Sequence, residues 1–131
     1  MLITRTPYRI SFLGGGTDYP NWYKKNGGMV LSSSIDKYSY ITLNNLDNFF
    51  KYLFRIRYYY REERQKIEQI KHPTIRNTLR LLNVKNGLDI FHYGELPART
   101  GIGSSSSFTV GLVHSIYKLM PKKFDKEKIM L

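Results

Sequence analysis

Leu96-Pro97-Ala98-Arg99-Thr100-Gly101-Ile102-Gly103-Ser104-Ser105-Ser106-Ser107 leads directly into Phe108-Thr109-Val110-Gly111-Leu112-Val113-His114-Ser115-Ile116-Tyr117. A proline opens a loop of small residues, four serines follow, and the chain then turns apolar with helical spacing. Glycines let the backbone turn with its N–H groups convergent and admit a ligand without side-chain interference. Serine is a favoured helix N-cap. A helix start offers unpaired N–H donors and the positive end of the macrodipole, so a phosphate is a natural occupant. The plain alternative is a Gly/Ser linker or an ordinary capped turn. Linkers, however, rarely run straight into so apolar a helix.

Working outward, the helix is expected over 105–120, with apolar positions at 108, 109, 112, 113, 116 and 120. Gly111 permits close packing on a sheet, and Pro121 ends the helix. Asp125 caps a further helix over 126–131, too short to hold itself. We therefore expect the chain to be the N-terminal part of a larger protein.

Upstream, Leu88–Tyr93 reads as a strand. Residues 74–84 read as a helix on Ile75, Leu79 and Leu82, closed by Gly87 as a glycine cap. His72-Pro73 breaks a charged, helix-prone stretch over 61–71. Residues 52–60 alternate as a one-face-buried strand in an antiparallel setting. Met29–Ile35 and Tyr38–Asn44 read as two strands joined tightly at Asp36-Lys37, with 44–48 a polar turn. Asn21–Asn26 reads as one irregular or helical turn closed by Gly27-Gly28. Near the start, a short strand precedes Pro7 and a firmer one covers Arg9–Leu13. Gly14-Gly15-Gly16-Thr17-Asp18 then bends the chain and fixes a hydroxyl and a carboxylate at its exit. A plain turn would use the same residue types.

The bulk numbers narrow the class. At 131 residues, 41% apolar and 15% aromatic, the chain fits one folded domain. It has no cysteine, which excludes disulfides, thiolate metal sites and cysteine nucleophiles. No apolar run approaches a membrane span, and the first residues lack the order of a secretory signal. A cytoplasmic protein with no membrane partner is the expectation. The formal charge of +11 favours polyanionic partners. Residues 51–85 carry ten Lys and Arg against three Glu, which a solvated basic face also explains.

Several chemistries fail on spacing. There is no Walker-type loop and no Gly-x-Ser-x-Gly elbow. Gly101-x-Gly103-x-x-Ser106 lacks the third glycine of a dinucleotide fingerprint. His72, His92 and His114 are too dispersed for a zinc site. The basic, tyrosine-rich 52–64 segment could stack on and neutralise a nucleic acid strand, although strand alternation explains its tyrosines more simply. Two glycine loops fit phosphoryl transfer best, because that chemistry needs positioning and charge neutralisation above all.

Pro7-x-Arg9-Ile-Ser-Phe-Leu-Gly14-Gly15-Gly16-Thr17-Asp18-Tyr19 resembles the first motif of the GHMP kinases (galactokinase, homoserine, mevalonate and phosphomevalonate kinases). Pro97-x3-Gly101-Ile102-Gly103-Ser104-Ser105 resembles their second motif, the ATP-phosphate loop. The Gly-Gly-Gly-Thr-Asp form, Gly27-Gly28, Ile35-Asp36-Lys37-Tyr38 and His72-Pro-x-Ile-Arg are most similar to the sugar-kinase branch typified by D-glycero-D-manno-heptose 7-phosphate kinase. The resemblance implies an α+β fold, the ribosomal-protein-like two-layer N-terminal domain. Its sheet is mixed but mostly antiparallel, with helices on one face and a left-handed crossover. Residues 1–131 would be a partial N-terminal domain, with the C-terminal domain absent.

It also implies roles. Pro97, Thr100, Gly101, Ile102, Gly103, Ser104, Ser105 and Ser106 would hold ATP, with Ser105 the Mg2+ ligand. Arg9 would stand near the reacting phosphate. Gly15, Gly16, Thr17 and Asp18 would bind a sugar or sugar-phosphate substrate. Arg99 stands where the family usually has glycine. The catalytic Asp and the acidic magnesium ligand would fall beyond Leu131, so the chain alone is expected to transfer no phosphate. The missing half or a second copy would be its protein partner. A galactokinase-like small-molecule kinase, a basic nucleic-acid module and a non-catalytic protein borrowing the fold are the alternatives.

Overall fold

The computed structural model describes residues 1–47, 49–98 and 100–120. Five strands form one sheet: β1 (Leu2–Leu13), β2 (Leu31–Asn45), β3 (Phe54–Arg57), β4 (Arg61–Arg64) and β5 (Leu88–Gly94), in the order β1-β2-β5-β3-β4. Every neighbouring pair is antiparallel except β3 and β5, which run parallel. Parallel neighbours need a long crossover. Here β4, a 3-10 turn at Ile67–Gln69 and helix α2 (Pro73–Leu81) supply it. A short helix α1 (Pro20–Asn26) sits between β1 and β2, and α3 (Ser104–Leu119) follows β5. The fold is of the expected α+β class, a mixed and mostly antiparallel sheet backed by helices.

The core lies between the sheet and α2 and α3. Ile41 and Leu43 of β2, Phe54 and Ile56 of β3, and Ile90 of β5 meet Ile75 and Leu79 of α2 and Phe108, Leu112 and Ile116 of α3. Each of these aliphatics is fully buried, so truncating one to Ala costs about 2–5 kcal/mol. Helix α3 seats on β1 and β2 through small residues. A Cβ on Gly111 would stand 2.8 Å from Thr6 Oγ1 and 3.3 Å from Ile41 Cδ1. Ser115 Oγ donates to Gly111 O at 2.7 Å and meets Thr4 Oγ1 at 2.8 Å. On the other face, Ile3, Phe91 and Tyr93 stand exposed.

Several elements differ from the sequence reading. Pro7 does not divide two strands. It lies within β1, an edge strand, where its missing N–H costs no ladder bond. Asp36-Lys37 is not a turn, because β2 is continuous. Pro7 pairs with Tyr38 and Arg9 with Ser34, so three residues of β2 bulge opposite Tyr8 alone. The polar turn begins later than expected, since β2 runs on to Asn45. The strand expected over 52–60 is only β3; Tyr58–Tyr60 turn the chain back into β4, where a charged helix was expected. Glu62 gives the reason, because it is buried and bound on three sides. Helix α2 ends before Gly87. Asn83 takes the positive φ of 51° after it, and Val84 N–H closes onto Leu79 O. Pro121, Arg99 and the Asp125-capped helix over 126–131 lie outside the described residues.

Candidate functional site

Strand β5 delivers the chain to the glycine loop, and the loop delivers it to α3. Thr100 Oγ1 donates to Pro97 O at 3.0 Å, closing the first half of the loop. Gly101 and Gly103 then take φ of 76° and 72°, the left-handed region that L side chains rarely enter. Gly103 is itself the N-cap of α3, and no side chain caps the helix. This corrects the expectation of a serine cap. The start of α3 therefore keeps its anion-attracting donors uncapped by any side chain, with Ser105 and Ser106 exposed beside them.

The first glycine motif reaches this loop through β1. Arg9 N–H donates to Ile102 O at 3.2 Å, and Ser107 Oγ donates to Pro7 O at 2.8 Å. The Arg9 side chain lies along Gly103, where a Cβ would come within 3.2 Å of Arg9 Cγ. Its guanidinium donates to Ser11 Oγ at 2.6 Å. Two segments some ninety residues apart in sequence are thus one local structure.

A cavity of about 590 Å³ opens beside this helix start. Pro97, Ser104 and Ser105 line it together with the aromatic residues Tyr8, Tyr58, Tyr59, His72, His92, Tyr93 and Phe108, and Thr74, Gly94, Leu96 and Ala98 complete the lining. Thr100, Gly101, Ile102, Gly103 and Ser106 do not line it. The His72 ring meets Tyr58 edge-on at 4.8 Å and Phe108 at 5.2 Å, and His92 meets Phe108 at 4.7 Å. Burial lowers both histidine pKa values; His72 further lowers that of His92, while Glu62 partly opposes the effect on His72. Neutral His72 serves its helix, with Nδ1 accepting from Ile75 N–H at 3.4 Å as the N-cap of α2.

Glu62 braces this wall. Its carboxylate accepts from Tyr58 Oη at 3.0 Å, Lys71 N–H at 2.8 Å and His72 N–H at 3.2 Å, with Arg64 3.6 Å away. Burial alone would raise its pKa, but the Lys71, Tyr58 and His72 hydrogen bonds and Arg64 together bring it below the usual value. Burial, and then this carboxylate, push the Tyr58 phenol up to about 12.

The Gly14–Asp18 turn forms a separate place. Gly14 takes φ 82°, and the 3-10 turn Gly15–Asp18 follows. The Thr17 hydroxyl donates to Gly14 O at 2.8 Å and to Met29 O at 3.3 Å, so it is engaged in holding the turn. Gly15, Gly16 and Asp18 are exposed. Thr17 and Asp18, with Tyr23 and Gly28–Val30, line a second cavity of about 340 Å³ that shares no residue with the first. Of Arg9, Gly15, Gly16, Thr17 and Asp18, the motif-one site candidates, it is Arg9 that the structure brings against the phosphate-loop candidates.

The aromatic wall was invisible to local spacing. Tyr58, His72 and His92 come from a hairpin, a helix cap and a strand, and only the sheet order gathers them. Among the described residues, no group of three His, Asp or Glu side chains could hold a metal ion, and no helix is long and apolar enough to cross a membrane.

The comparisons with known proteins agree with the fold. A family model described as the GHMP kinases N terminal domain matches residues 67–131. A D-glycero-D-manno-heptose 1-phosphate kinase from Bacteriodes thetaiotaomicron superposes with a TM-score of 0.80 at 19% identity, covering 98% of this chain and 45% of that one. A Streptococcus pneumoniae phosphomevalonate kinase in complex with phosphomevalonate and AMPPNP gives 0.69 at 19% identity, covering 98% and 40%. A Lactococcus lactis galactokinase complexed with galactose gives 0.68 at 18%, covering 97% and 34%. The chain thus spans less than half the length of these solved structures. No curated protein sequence matches it.

Proposed function

We propose that a chain with this fold serves as the nucleotide-binding part of an ATP-dependent kinase acting on a sugar or sugar phosphate, most like a D-glycero-D-manno-heptose 7-phosphate kinase. One observation carries the reading: the Arg9–Ile102 hydrogen bond, which joins the two glycine motifs into one structure. The family match and the AMPPNP-bound neighbour support it at the level of a kinase that uses ATP.

The residues present fit a nucleotide. The helix start has no side-chain cap, a Cβ on the left-handed Gly103 would press on Arg9 Cγ at 3.2 Å, and the adjoining cavity has aromatic walls suited to a base. In this reading the N–H groups at Gly103–Ser106 hold the phosphates, and Ser104 and Ser105 flank them. Arg9 supplies positive charge beside the loop, and its contact with Ser11 restrains the guanidinium. Asp18 would hydrogen-bond substrate hydroxyls from the second cavity, with Gly15, Gly16 and Thr17 shaping that turn. For Mg2+ the fit is thin. Ser105 offers one oxygen, and the described residues add no acidic cluster, so the nucleotide phosphates would supply most of the ligands. When bound, the ion would neutralise phosphate charge.

Calorimetric titration of the chain with AMPPNP tests the binding, with and without Mg2+. We expect saturable binding that is lost when Gly103 is replaced by Val. A chain that ignores AMPPNP but binds single-stranded DNA with steep salt dependence would overturn the proposal in favour of the nucleic-acid module. A coupled assay with heptose, galactose and their phosphates is expected to show no turnover by this chain alone.

A further inference from the structure

Three successive residues of β1 hold three different points of the loop and helix. Pro7 O accepts from Ser107 in the first turns of α3, and Arg9 N–H donates to Ile102 at the loop's exit. Tyr8 lies between them at 1% exposure, although it belongs to an edge strand. The bulge of β2 opposite it leaves it without a partner in the register. Its hydroxyl comes so close to Gly94 that a Cβ there would stand 2.6 Å away. Leu96 O and His92 Cε1 approach that same point, at 3.4 and 3.8 Å, so the hydroxyl stands at the loop's entry. Burial raises the phenol's pKa, and hydrogen bonding from the Ser39 side chain and the Leu96 backbone works against that rise. Leu96 is the residue before the loop's opening proline. Ser39 Oγ in turn lies 3.0 Å from His92 Nε2, and the His92 ring rests on Phe108 of α3.

We infer that Tyr8 is a positioning residue for the glycine loop, and that Ser39 links its hydroxyl to His92 on the wall of the pocket. Phenylalanine would fill the same buried space, so packing alone does not account for the hydroxyl. The hydroxyl stands at the loop entry beside Gly94, and the groups that act on it are the Leu96 backbone and Ser39, the residue that contacts His92. Motif one thereby grips the loop at entry as well as exit, and a ligand pressing on His92 is mechanically connected to Leu96. The functional consequence rests on the nucleotide reading of the pocket; the positioning itself does not.

The test uses the 15N-labelled chain with Tyr8→Phe and Ser39→Ala. Losing one hydrogen bond should speed Leu96 amide exchange about fivefold in Tyr8→Phe and move its proton upfield. Exchange in α2 should be unchanged. AMPPNP affinity should fall about threefold to tenfold in that variant. Ser39→Ala keeps the phenol, should shift the His92 ring nitrogens and should speed Leu96 exchange by a smaller factor. Unchanged Leu96 shift and exchange in both variants would overturn the inference. If the parent chain binds no AMPPNP, the nucleotide reading falls, while the Leu96 signature still decides the role of Tyr8. Should Tyr8→Phe fail to fold, the Ser39→Ala spectra decide it.

Discussion

Arg9 and Ile102 are joined by a backbone hydrogen bond of 3.2 Å, and the Arg9 side chain lies where a side chain on Gly103 would have to go. Gly103→Ala therefore faces two obstacles, a φ of 72° and a contact 3.2 Å from Arg9 Cγ. Gly101→Ala meets only the first, because its φ is 76° but the space around it is open. The left-handed strain is worth about 1–2 kcal/mol in each. Thermal unfolding should show similar losses, whereas AMPPNP titration should show the larger loss of affinity for Gly103→Ala.

The same comparison separates the glycines of motif one. A Cβ on Gly14 would stand 1.9 Å from Met29 O, a backbone atom that cannot swing aside. Nothing lies within 4 Å of one on Gly16. Urea denaturation should show Gly14→Ala destabilised by about 3 kcal/mol or more, combining φ strain with overpacking. Gly16→Ala should stay within about 0.5 kcal/mol of the parent.

Arg9→Met keeps an apolar stem beside Gly103 and removes the guanidinium. The fold should hold, because the Arg9–Ile102 bond is made by backbone. AMPPNP binding should weaken about tenfold, the loss of one charge-assisted contact. Equal affinity in calorimetry would remove Arg9 from the site.

The two pocket histidines set a pH window. Both have pKa values lowered by burial. Between those values and about 6.5, the unfolded chain takes up protons that the folded chain refuses. Their stability contribution is therefore complete above about pH 6.5 and declines as pH falls toward the lowered values. Melting temperature should drop as pH falls below about 6.5, and His92→Gln should flatten that slope.

Glu62→Gln should cost about 2–3 kcal/mol by urea denaturation. It removes the charge that Tyr58, Lys71 N–H, His72 N–H and Arg64 all address at 3% exposure. Because the Glu62 pKa is lowered, its stabilisation is present above the ordinary carboxylate value and is lost as pH falls through the lowered one. That loss lies in a more acidic window than the histidine transition.

The sequence made α3 legible because a small-residue loop, a helical apolar period and Gly111 agree with one another. The strand faces were equally plain: Ile41 and Leu43 alternate with Tyr40 and Thr42 as the burial does. What misled was local chemistry overruled at a distance. Pro7 breaks interior strands, but the sheet order leaves it at an edge. Asp36-Lys37 suits a turn, yet β1 stays paired past it and turns it into a bulge. The charged 61–71 stretch suits a helix, yet backbone donors from Lys71 and His72 draw Glu62 inward. The candidate phosphate loop could be read from its glycines. Its aromatic neighbours could not, since three separate elements supply them.

The seam between β1 and α3 has a kinetic meaning. Thr4 meets Ser115 across 111 residues of sequence, and Pro7 meets Ser107 across 100. Chain closure on that scale carries a large entropic cost before any contact rewards it. The hairpin of β3 and β4 and the turns of α2 need no such closure. The loop gripped by β1 should accordingly be among the last parts to mature in refolding. Competence to hold a ligand there should lag behind the gain of secondary structure.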